Sequence, residues 1–195
     1  IVLGELINIF PRIIWKIASS VTESVFFVWT LNIDFYPAIR QHIGMDDWAV
    51  TGNGASVTQV STGKLHHPCF VDRQHVGPIL RFIASSGKYK LNTYCGDMMY
   101  TTKELLPWWL EDSDKQNQTL PKEQWTRFTV CDSLEEMIEK SQDVCELIRL
   151  ETGYERTPMP QEIQAYIDTL DEFQVTTSFD GHWDINHKQA NKVRG

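Results

Sequence analysis

Phe128-Thr-Val-Cys-Asp-Ser-Leu-Glu-Glu136 reads as a strand running into a helix. Phe128 to Cys131 is aromatic and β-branched, which suits a pleated, half-buried surface. Ser133 and Glu136 stand at the spacing of a capping box, in which each side chain satisfies an amide that the first helical turn leaves without a partner. Leu134, Met137, Ile138, Val144, Cys145 and Ile148 then recur at three- and four-residue steps. That spacing predicts a helix from Leu134 to Leu150, stopped near Gly153. Strand followed by amphipathic helix sets the class as mixed α and β.

Downstream, Thr157-Pro158 opens a second helix with threonine as cap and proline in the first turn, and Ile163, Tyr166, Ile167 and Leu170 make its apolar stripe. The run Glu151 to Ile163, with Gly153, Thr157-Pro158 and Glu162-Ile163, resembles the opening of bacterial helix-turn-helix units, including those of sigma factors. Such a reader needs a basic second helix for the major groove, and Asp168, Asp171 and Glu172 follow here instead. The run is helix-capping grammar. Phe173 to Phe179 is expected as a last strand, and the chain from His187 as a polar, loose end with a tail at 188–195.

Upstream, Trp48 to Thr51 and Ser56 to Val60 flank Gly52-Asn53-Gly54, residues that tolerate positive φ, so a hairpin is expected. Val76 to Ala84 reads as a short helix interrupted at Gly77-Pro78, and Tyr89 to Cys95 alternates as a strand. Lys103 to Leu110 suits one or two helical turns, and Glu111 to Gln118 an acidic loop. Leu3, Leu6, Ile7, Phe10, Ile13, Ile14, Ile17 and Val21 fall on one helical face, giving an N-terminal helical extension over 1–31 with a kink at Pro11. Ser24 to Asn32 is either a strand or more of that helix. The charges Glu5, Arg12, Lys16 and Glu23 interrupt the run before it could span a bilayer, so no transmembrane segment is expected.

With 195 residues, 42% of them apolar, the chain suits one hydrophobic core. The fold class is α+β: a single domain over 1–195, with a mainly antiparallel sheet of short strands packed against amphipathic helices. A net charge of −8 excludes a broad nucleic-acid surface, which needs clustered lysine and arginine, and Lys188, Lys192 and Arg194 are too sparse to reverse it. Cys69, Cys95, Cys131 and Cys145 include no CxxC pair, which indicates reduced thiols and a cytoplasmic location.

Three groupings could carry chemistry. His66, Cys69, His75 and Cys95 offer the nitrogen and sulfur ligands of a tetrahedral zinc site, and with His67 they could alternatively serve a cysteine-dependent hydrolase. Asp180, His182, Asp184 and His187 mix carboxylate and imidazole as a hydrolytic metal centre does, although a solvated turn around a half-buried Trp183 accounts for them more simply. Adjacent Trp108 and Trp109 cannot easily both face a core, so they are the candidate protein-binding residues. Because these reactive groups are scattered along the chain, the expectation is a non-enzymatic interaction or assembly protein with a protein partner and no cofactor, a subunit or fragment of a larger complex. The rival is a metal- or cysteine-dependent hydrolase with zinc.

Overall fold

The computed structural model describes residues 26–27, 48–59, 62, 64–66, 68–107, 109–122, 125, 127–152, 158–179 and 181–190. Two sheets organise them. The smaller has the order β1 (Phe26–Phe27), β2 (Trp48–Thr51), β3 (Ser56–Gln59), β4 (Lys64–His66). Its β1–β2 pair is parallel and its other pairs antiparallel. The expected hairpin forms: Thr51 faces Ser56 across the Gly52–Gly54 turn. Asn53 has a φ of 59° and both flanking glycines are also positive, a run of left-handed backbone that these residue types permit.

The larger sheet takes β5 (Lys90–Cys95), β6 (Met98–Thr102), β7 (Phe128–Cys131), β8 (Leu147–Glu151), β9 (Phe173–Phe179) and β10 (His182–His187). Their order is β7-β6-β5-β8-β10-β9, antiparallel throughout except β6 with β7. The α+β class, with mostly antiparallel strands, is therefore what the chain forms.

Helices α1 (Arg73–Ala84), α3 (Leu134–Ser141) and α4 (Gln161–Asp168) supply apolar residues to one core. Val76, Ile79, Leu80 and Ile83 of α1 join Met137 and Ile138 of α3 and Ile163 and Ile167 of α4 against Leu91, Ile148, Leu150 and Ile185 of the sheet. Each such side chain contributes about 1.5–3 kcal/mol of burial. On β8, period-two alternation sends Ile148 and Leu150 to this core and leaves Leu147, Arg149 and Glu151 for the opposite face. A smaller cluster of Tyr94, Met99, Leu110 and Leu147 packs with Leu106, Trp109 and Phe128.

Several expectations change. The helix from Leu134 stops at Ser141, and 147–151 is a fully buried central strand. Pairing with β5 on one side and β10 on the other outweighs a periodicity that the next apolar run happens to continue. Ser133 does cap, accepting from the Glu136 amide at 3.2 Å, but Glu136 reaches back to the Asp132 amide, 2.8 Å away. Helix α1 runs through Pro78, whose exposed ring forfeits one ladder bond near the helix start while the buried stripe holds the rest. The acidic stretch after Leu110 is helix α2 (Leu110–Asn117): Glu111 and Asp112 in its first turn complement the positive end of the helix dipole. Residues 103–109 are not helical among those described. Of the solvated turn expected at 180–187, residues 182–187 are instead β10, paired on both edges because its alternate residues fit the two faces of the sheet. Residues 188–190 are tied down: the Lys188 amide donates to Glu172 O at 2.8 Å and Ala190 is buried. Helix α4 starts at Gln161 with Pro160 at its cap position, and Thr157 lies outside the described residues. So does the N-terminal helical extension, apart from the two residues of β1.

Candidate active site

On the sheet face turned away from the helical core, register gathers polar residues that the sequence spreads over more than ninety positions. Asn92 lies opposite Arg149, and Arg149 opposite Asp184, so β5, β8 and β10 present one continuous row. All three are buried. The Arg149 guanidinium grips Asp184 as a fork, Nε to Oδ1 at 2.7 Å and Nη2 to Oδ2 at 3.0 Å. Its Nη1 donates to the Tyr94 hydroxyl at 3.1 Å, and the guanidinium also lies over the Tyr94 ring, 4.9 Å from its centroid. A buried charge persists only with such pairing. From the small sheet, Asn53 Nδ2 adds a hydrogen bond to Asp184 Oδ2 at 2.8 Å.

The neighbouring row pairs Glu151 with His182. Glu151 Oε1 accepts from Trp109 Nε1 at 2.8 Å and from Asn92 Nδ2 at 3.2 Å, while Oε2 lies 3.8 Å from His182 Nε2. Burial pushes the Glu151 carboxyl above its usual value; the Trp109 hydrogen bond, His182, Arg149 and Asn92 pull it back only in part. A third buried carboxylate, Glu146, accepts from Ser56 Oγ at 2.8 Å, again joining the two sheets. Gly52 allows that approach: a Cβ there would fall 2.8 Å from Glu146 Oε2. Asn92 Oδ1, Glu151 Oε2 and Asn186 Oδ1 are buried acceptors on this face with no hydrogen-bond partner among the described residues. Buried acceptors of that kind call for donors, such as those of a ligand or water.

The proposed zinc ligands do not close on one another. His66 sits in β4 opposite Val57, and the Cys69 amide bonds Ala55 O at 2.6 Å. His75, in the first turn of α1, meets the Phe173 ring edge-on at 5.1 Å, and Cys95 is buried at the end of β5. Among the described residues, the one group of three or more such ligands with all ligand atoms within 4.8 Å of one another is Asp72, His75 and Glu172. Burial, then Asp72, raises the Cys69 thiol pKa, the opposite of what a cysteine nucleophile needs. His182 and Asp184 do enter the polar face, whereas His67, Trp108 and Asp180 lie outside the described residues. Trp109 is half-buried and bonded to Glu151, so its indole serves the inside of the domain. Asn53, Asn92, Arg149 and Glu151 escaped the sequence reading; the signal was two charges at alternate positions within the apolar run Leu147 to Glu151.

A family model for haloacid dehalogenase-like hydrolases matches residues 33–195. The chain belongs to that family. Among solved structures, a haloacid dehalogenase-like hydrolase from B. subtilis is similar at TM-score 0.60 and 16% identity, over 86% of this chain and 62% of its own. A phosphatase of the same superfamily from Bacteroides thetaiotaomicron gives 0.57 and 15%, over 92% and 59%. A subclass IIB sugar phosphatase gives 0.55 and 11%, over 87% and 58%. The chain thus spans less than two thirds of each of these three structures. No curated protein sequence matches it.

Membership in the haloacid dehalogenase-like hydrolases overturns the expectation of a non-enzymatic interaction or assembly protein. That expectation assumed scattered reactive groups, and strand pairing gathers them. Hydrolases of this family use Mg2+ rather than zinc. The described residues do not assemble a Mg2+ centre. That ion asks for hard oxygen ligands in octahedral array, yet Asp184 is taken up by Arg149 and Asn53, and no three ligand groups converge on the polar face. No described helix is long and apolar enough to cross a membrane.

Proposed function

We propose that the chain forms a major part of a phosphate-ester hydrolase whose substrate carries several hydroxyl groups, as a sugar phosphate does. Family membership supports the reaction class. The observation that carries the substrate class is the set of buried acceptors without donors, Asn92 Oδ1, Glu151 Oε2 and Asn186 Oδ1, on neighbouring strands of one face. Hydroxyl groups are donors of the right kind, and a site built to bond them discriminates against analogues that lack them. Arg149 fixes Asp184 and Tyr94 and so holds the face rigid, while Glu151, its carboxyl pKa raised by burial, stands 3.8 Å from His182. Mg2+ supplies Lewis-acid chemistry in this family and is expected to be required. The four free thiols accord with a cytoplasmic location.

Phosphate release by the full chain, measured over sugar phosphates and p-nitrophenyl phosphate with Mg2+ or with chelator, tests the reading. Asn92→Ala should lower kcat/KM for the preferred sugar phosphate by about 10–100-fold, the equivalent of one buried hydrogen bond, and affect p-nitrophenyl phosphate far less. Absence of Mg2+-dependent release from every ester, or equal losses on both substrates, would refute it.

A further inference from the structure

We propose that Asp72, His75 and Glu172 form a second, peripheral metal site that takes a first-row divalent transition ion such as zinc. Their ligand atoms lie within 4.8 Å of one another, contributed by the start of α1 and by the turn between α4 and β9. Asp72 occupies the cap position of α1 but makes no side-chain cap hydrogen bond, so its carboxylate is turned away from the helix amides that usually hold it. No hydrogen bond or ion pair joins the three side chains to one another. The nearest cation in sequence, Arg73, is engaged elsewhere, 2.9 Å from Asp143. Two carboxylates approach an imidazole, with the Lys188 ammonium held nearby on Asp171 O at 2.7 Å, beside an open depression of about 660 Å³ lined by Asp72, Arg73, Gln74 and Gln142 that gives solvent access.

The scaffold is firm where it matters. His75 is braced by the Phe173 ring at 5.1 Å, and the carbonyl of Glu172 is fixed by the Lys188 amide at 2.8 Å. Around zinc, with bonds near 2.0–2.1 Å, tetrahedral ligands stand about 3.4 Å apart. Rotation of the exposed carboxylates supplies the remaining closure. One nitrogen and two oxygen donors favour zinc, cobalt or nickel over Mg2+ or Ca2+, which take oxygen sets. Three protein ligands leave a position for water. The ion would clip the first turn of α1 to the edge of the large sheet, on the helix-covered side and away from the Arg149–Asp184 row.

Zinc titrated calorimetrically into the full chain under excess Mg2+ tests the site without reference to hydrolysis. One equivalent should bind and raise Tm by roughly 5 °C at saturation, and Co2+ should give a visible ligand-field band. Glu172→Gln and His75→Ala should each weaken zinc by at least about tenfold, since loss of a direct ligand exceeds loss of an outer partner, and Cys69→Ser should leave it unchanged. Should His75→Ala fail to fold for want of its Phe173 contact, the exposed Asp72→Asn and Glu172→Gln decide. Unchanged binding in those variants, binding lost with Cys69→Ser, or no zinc bound at all would overturn the proposal.

Discussion

Glu151 and Asp184 are both fully buried carboxylates on one sheet face, yet their surroundings set them apart. Asp184 receives a two-pronged arginine and an asparagine amide, so its charge is compensated where it stands. Glu151 receives two neutral N–H groups on one oxygen and has only a histidine, 3.8 Å away, near the other. Desolvation therefore wins, and its carboxyl is held above the usual 4.5. A folded value above the unfolded one means that the native state holds the proton more tightly. The stability gained from this is fully present below the unfolded pKa and is lost as pH rises through the folded value. Glu151→Gln keeps an acceptor for Trp109 and Asn92 but cannot ionise. Relative to the variant, the natural protein should lose stability steadily as pH rises from about 4.5, which parallel thermal melts across the acidic and neutral range would reveal. A pH-independent gap between the two proteins would remove this account.

At the scale of elements, the legible parts were those in which local chemistry and tertiary demand coincide. The β2–β3 hairpin was readable because Gly52-Asn53-Gly54 can do little else, and the start of α3 because Ser133 provides an acceptor for an amide that needs one. The misread parts were those in which pairing with distant strands decides. Val144, Cys145 and Ile148 prolong a helical period by accident, and only the register with β5 and β10 shows that Arg149 and Glu151 share a face. For the same reason the site is legible only in part: His182 and Asp184 stand out in one run, whereas Asn53, Asn92, Arg149 and Glu151 meet them only through pairing between segments remote along the chain. The hairpin turn offers the sharpest element-scale test. Gly52→Ala would both strain a backbone at φ 54° and drive a Cβ to 2.8 Å from Glu146 Oε2 and 3.0 Å from Glu146 Cβ. A loss of about 1–3 kcal/mol is expected in urea denaturation, with Glu146→Ala partly rescuing it because the carboxylate oxygen is then gone while the Cβ remains. An additive double variant would show that backbone strain and the Cβ contact, not the carboxylate, are responsible.

For the whole molecule, the question is how tightly the small sheet is bound to the large one. The described links are few and specific: Asn53 to Asp184 and Ser56 to Glu146. Most buried apolar contact, by contrast, lies between the large sheet and α1, α3 and α4. Polar links of this sort are individually worth about 1 kcal/mol net, whereas a buried ion pair stripped of one partner costs about 3–5 kcal/mol because the remaining charge is uncompensated. Two substitutions at one hydrogen bond should therefore act on different scales. Asp184→Asn leaves Arg149 buried without its counter-charge, and should destabilise the whole unit and speed amide exchange in β5, β8 and β10 together. Asn53→Ala leaves the Arg149–Asp184 fork intact, and should speed exchange in β2 and β3 while β5 and β8 keep their protection, since local opening then costs less than global unfolding. If Asn53→Ala instead loosens all strands equally, the two sheets unfold as one cooperative body, and the polar seam is part of the core that holds them rather than a joint between them.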